Sequence, residues 1–99
     1  MKIKKDSDIV WVNKGIIQIN LKRYSNAIES FKKALKINPN YQGINYNLAC
    51  CYAFNNNKKQ ALKNLEIAIN KNPKCLDFAK SALAFKALAR DRKFISLFR

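Results

Sequence analysis

The sequence predicts an all-α fold, an alpha-alpha superhelix of about six antiparallel helices. Two observations predict it. First, residues recur at one fixed offset. Ala27, Ala34 and Pro39 return 34 positions later as Ala61, Ala68 and Pro73; Asn38 returns as Asn72; and Ile28 and Leu35 return as Leu62 and Ile69. A period of that size marks a stack of repeated helical units. Second, the apolar residues within each unit follow the i, i+3, i+4, i+7 stripe of an amphipathic helix.

Taken in order, a helix over 7–20 is built around Trp11, Gly15 and flanking apolar residues. The next, over 24–37, carries Tyr24, Ala27, Ile28, Phe31, Ala34 and Leu35 on one stripe. A third, over 41–54, holds Ile44, Leu48, Ala49 and Tyr52. A fourth, over 58–71, repeats the second stripe with Ala61, Leu62, Leu65, Ala68 and Ile69. The second and fourth stripes end at Asn-Pro, because proline disfavours the helical conformation in the residue before it. The connectors at 20–23 and 55–57 are short, which makes antiparallel hairpins. Beyond Pro73, helices are expected over 75–89 and 91–98.

The 34-residue pattern resembles the tetratricopeptide repeat. That signature is a Trp, a Leu-Gly pair, a Tyr, an Ala, an aromatic, an Ala and a Pro. In the first unit these positions hold Trp11, Lys14-Gly15, Gln18, Ala27, Phe31, Ala34 and Pro39, departing at Lys14 and Gln18. In the second they hold Asn45, Leu48-Ala49, Tyr52, Ala61, Leu65, Ala68 and Pro73, departing at Asn45, Ala49 and Leu65. The resemblance covers residues 8 to 75. It implies one domain over 1–99, with repeat one at 8–41, repeat two at 42–75 and a carboxy-terminal cap at 76–99. The pairs Phe85-x-x-Leu88 and Phe94-x-x-Leu97 resemble the segment that closes many bacterial and plastid members of the family. Two repeats cannot bury their outer faces alone, so such a segment is physically required. Gly15 and Ala27 are expected where two helices of a hairpin touch, and Ala34 and Ala68 toward the next unit; Trp11, Phe31 and Tyr52 fill the gaps between.

In such a solenoid the first helix of each hairpin lines a concave groove. The resemblance therefore places Ile9, Val12, Asn13, Ile16 and Asn20 of the first helix in that groove, with Tyr46, Asn47, Cys50 and Phe54 of the third. Asp77, Lys80, Ser81 and Ala84 follow on the fifth if it keeps register. This surface is apolar and aromatic with scattered amides. Amides pair with a ligand backbone and apolar patches hold its anchor side chains, which suits a peptide or helix of a protein partner. The expected role is an interaction module, an adaptor or assembly factor. Family members that grip chaperone carboxylate tails use two Lys, two Asn and one Arg at positions that here hold Val12, Ile16, Asn47, Asp77 and Ser81; only Asn47 matches, so that use is disfavoured.

The balance of twenty Lys plus Arg against six acids gives a net charge of +14. Such a field attracts polyanions, so an alternative reading is binding of nucleic acid or an anionic membrane through the basic outer face, at Lys32, Lys33, Lys36, Lys59 and Lys63. A second basic cluster, Arg90, Arg92, Lys93 and Arg99, is interleaved with Phe94 and Phe98. Nucleic-acid binding of this kind would be non-specific. Sixteen of the twenty cations are Lys, and Arg is the better reader of phosphate. With thirteen Asn alongside, part of the charge reads as AT-rich codon usage.

Catalysis is not expected: there is no His, no glycine-rich phosphate loop, and no Ser or Cys beside a base. No cofactor or metal is implied. Cys50, Cys51 and Cys75 form neither a disulfide framework nor a zinc set. They suit a reducing compartment, cytoplasmic or like an organellar stroma. No apolar stretch follows the charges of residues 1–6, so secretion is not signalled.

Overall fold

The computed structural model describes residues 7–41 and 43–98. Arg99, the 1–6 stretch and the Ser81 side chain, all used in the sequence reading, lie outside the described residues. Within them the chain forms seven helical segments and no strand. These are α1 (Asp8–Asn20), α2 (Tyr24–Ile37), α3 (Ile44–Phe54), α4 (Lys58–Lys71), α5 (Cys75–Ser81), a 3₁₀ segment (Leu83–Leu88) and α6 (Arg92–Ser96). The fold is all-α, as expected. It is elongated, with extents of 47 × 25 × 19 Å.

The repeat is visible in the backbone itself. The α1–α2 turn places Lys22 in the left-handed region at φ 61°, and the α3–α4 turn places Asn56 there at φ 62°, one period later. Around both, the same two hydrogen bonds close the helix end. Lys22 N donates to Ile19 O and Arg23 N to Gln18 O; Asn56 N donates to Ala53 O and Asn57 N to Tyr52 O. This pairing satisfies carbonyls that a helix end otherwise leaves orphaned. The Asn-Pro corners also repeat. The Asn38 side chain accepts from Asn40 N and that of Asn72 accepts from Lys74 N, each at 3.1 Å.

α1 packs along α2, α2 against α3, and α3 along α4. Ala27, Phe31, Ala34, Ile44, Ala49, Cys51, Ala61 and Leu65 are fully buried in one core. Gly15 is there for space: a Cβ at this position would lie 2.7 Å from Phe31 Cε1 and Cζ.

Three elements differ from expectation. The third helix begins at Ile44 rather than 41, because Gly43 sits at φ 90°, which no right-handed helix contains. The expected 75–89 helix is broken at Ala82, whose backbone is extended at φ −71° and ψ 129°. The break has a packing reason. Ala79 is buried, and Phe85 lies six residues on, about a third of a turn away on a continuous helix. There it would share the face of Phe78, which is exposed. Breaking at Ala82 buries Ala79, Phe85 and Leu88 together. Phe85, Leu88 and Phe94 join the core of the helical hairpins, with Leu97 and Phe98 packed at its edge. The last helix is also shorter than expected. It is capped by Asp91, whose carboxylate accepts from Lys93 N and Phe94 N.

Candidate functional site

α1 turns one stripe to α2 and another to solvent. Val12 and Gly15 are buried and Ile19 is partly so. Ile9, Asn13, Ile16 and Asn20 are exposed, and Ile9 and Ile16 keep 55% and 42% of their surface in water. Val12, expected in the groove, is therefore a core residue at 5% exposure. It shares its stripe with Asp8, four residues before it, and Ile19, seven after it, spacings that fall on one side of a helix.

On α3 the expected groove residues are less open. Tyr46, Asn47, Cys50 and Phe54 are all half-buried. The Tyr46 ring meets Phe78 and Phe85 edge-on, at centroid distances of 6.3 and 5.8 Å. Edge-to-face rings at these distances attract beyond their area burial. Tyr46, expected in the groove, therefore serves the seam with the carboxy-terminal segment. The ladder continues from Phe85 to Phe94 at 6.0 Å and from Phe94 to Phe98 at 4.9 Å. Phe54 stacks on Tyr24 of α2 at 4.9 Å, a pairing that no repeat signature announces.

Burial sets the chemistry of the cysteines. It pushes the Cys50 and Cys51 thiols up to about 12. Burial, and then the neighbouring Cys50, push the Tyr46 hydroxyl far above its ordinary range. The thiolate is the reactive form, so these cysteines are inert near neutrality. Among the described residues no group of three metal-binding side chains comes together. On α5, Lys80 and Asp77, both expected in the groove, are exposed and 4.0 Å apart, whereas Ala84, expected there too, lies past the break in the 3₁₀ segment and is buried in the core.

Where the first unit has Trp11, the second has Asn45, and a polar network replaces the indole. Asn45 Nδ2 donates to Asn64 Oδ1 at 3.2 Å, Lys71 Nζ donates to Asn45 Oδ1 at 2.9 Å, and Asn64 Nδ2 donates to Gln60 O at 2.9 Å. Asn64 stands one period after Ser30, which itself donates to Gln18 Oε1 at 2.6 Å. The two residues that differ from the first unit, Asn45 and Asn64, thus bond to each other. Buried amides are tolerated when paired in this way.

The basic residues divide. Lys14 and Lys33 lie over the Trp11 ring at 5.0 and 4.3 Å, and Lys32 over Tyr52 at 6.0 Å. These cations shield aromatic faces. Lys59 and Lys63 of α4 instead face Arg92 and Lys93 of α6 across one open cleft of about 860 Å³. In the sequence these pairs belong to separate clusters, because the fold-back at Ala82 that unites them carries no helical-periodicity signal. No helix among the described residues is long and apolar enough to cross a membrane.

Two family models match the chain, each described as tetratricopeptide repeat, over residues 9–41 and 30–63. Together they span more than half of its length. No curated protein matches it.

Proposed function

Because the chain belongs to the tetratricopeptide repeat family, we propose that it receives a peptide or helix of a partner protein along its concave face, as an adaptor or assembly factor. Repeats of this family generally mediate protein–protein interaction and are not catalytic. The observation that carries the proposal is the α1 stripe of Ile9, Asn13, Ile16 and Asn20, exposed along its whole length with two large aliphatic side chains in water. Aliphatic anchors flanked by amides are what an amphipathic partner segment needs. Asn47 extends the amide set on α3, while Tyr46, Cys50 and Phe54 form the half-buried floor beside it.

The test begins with capture of the partner from the native host and mass spectrometry. Its binding segment is then titrated against wild type, Ile16→Glu with Asn47→Ala, and an outer-face variant with Lys32, Lys33 and Lys36 changed to Gln. The first variant should lose roughly tenfold or more in affinity, and the second should keep it. Binding should also survive ~0.5 M salt, where exposed charge contacts are screened. If the outer-face variant loses the partner and the concave-face variant keeps it, the polyanion reading replaces this one.

A further inference from the structure

We infer a second interaction site, distinct from the concave face: the cleft between α4 and α6 takes an acidic amphipathic segment of a protein. The cleft is open and has a volume of about 860 Å³, within the range of ligand-binding clefts. Its rim carries five cations, Lys58, Lys59 and Lys63 from α4 and Arg92 and Lys93 from α6. Only two acids face them, Glu66 and Asp91. The Asp91 carboxylate is already engaged in capping α6, accepting from Lys93 N at 2.9 Å and Phe94 N at 3.2 Å. Among the described residues the ion pair formed is Lys80 with Asp77, on another element. The rim is thus an excess of positive charge converging from two helices, with Leu62 and Leu97 between them.

That combination selects the occupant. A small anion would satisfy the cations but leave the apolar floor wet. A nucleic acid would want planar guanidinium forks for its phosphates and aromatic faces for its bases. Among the described residues only Arg92 of the five cations is an arginine, and none that lines the cleft is aromatic. A segment with Leu or Phe on one side and Glu or Asp flanking them meets both features: its anchors cover Leu62 and Leu97 while its carboxylates meet the lysines. The site depends on the break at Ala82, which carries α6 back to α4.

The probe is a fluorescein-labelled peptide of about three helical turns, with Leu at helical spacing and Glu or Asp between. It is titrated against the full chain by fluorescence anisotropy. Binding should fall roughly tenfold or more when the peptide Leu are changed to Ser, and by a similar factor when its acids are changed to Gln. The variant Lys63→Gln with Arg92→Gln should weaken the parent peptide likewise, whereas Ile16→Glu with Asn47→Ala on the concave face should leave it unchanged. Both cleft substitutions are of exposed residues, and the peptide changes probe the site without touching the protein. No binding of the parent peptide at millimolar concentration overturns the inference. Equal binding of the Leu→Ser peptide reduces it to bulk charge and also overturns it. A single-stranded oligonucleotide that binds more tightly than the peptide, and is lost with the same cleft variant, assigns the site to nucleic acid instead. Loss of the peptide in the concave-face variant alone moves it to the other site.

Discussion

A methyl group at position 15 would strike the Phe31 ring at 2.7 Å, and Phe31 is fully buried. Ala is the better helix former by ~1 kcal/mol, but overpacking a tight core contact costs about 1–3 kcal/mol. Gly15→Ala should therefore lower the midpoint of urea unfolding, and Phe31→Leu in the same chain should give part of it back. A midpoint at or above wild type would mean that the ring moves aside freely. At this scale the sequence was readable wherever one residue type answers one contact, as at Gly15, Ala27 and Ala61. It was less readable at the boundary of a helix face. Val12 lies next to Asn13 in the chain, yet one is core and the other is wet. Tyr46 belongs to the expected helix, but its partners Phe78 and Phe85 come from a segment whose path the repeat offset does not describe.

Helix ends were legible where chemistry forces them. The observed bounds of α2 and α4 coincide with those expected, because Asn-Pro stops both and a three-residue turn precedes both. The start of α3 and the split after α5 were not legible: one depends on the backbone angle of Gly43, the other on burying Ala79 and Phe85 at once. The two hairpin turns lead to a prediction. Lys22 holds the left-handed conformation that Asn56 holds one period later. That conformation costs most L-residues roughly 1–2 kcal/mol, and Asn less. Lys22→Asn should raise Tm, the opposite of what most substitutions do; an unchanged or lower value would place the strain elsewhere. Phe85→Ala should have the reverse effect. The ring is 1% exposed and touches both Tyr46 and Phe94, so its loss should cost about 3–5 kcal/mol. A loss below ~1 kcal/mol, measured by chemical denaturation, would show that the carboxy-terminal segment does not seal the second hairpin.

Over the whole molecule, the core is a chain of neighbour contacts, from α1–α2 through α2–α3 to α3–α4. Solenoids of this kind draw stability from each unit and each junction separately. A net charge of +14 opposes all of them at once. Raising salt from ~10 to ~150 mM should therefore raise Tm, since the Debye length shrinks to about 8 Å and self-repulsion is screened; a falling Tm would mean that the cation–π and amide contacts outweigh the repulsion. Legibility at this scale was uneven: periodicity and composition expose the stack and the charge, but not the Lys-rich cleft made by the returning chain. One further consequence lies in Trp11. It is the chain's single tryptophan, and it sits half-buried on the first hairpin with Lys14 and Lys33 over its ring. Its fluorescence therefore reports that hairpin and no other, while circular dichroism sums every helix. Where the two signals melt together, the chain behaves as one cooperative unit; where the emission changes first, it frays from its amino-terminal end.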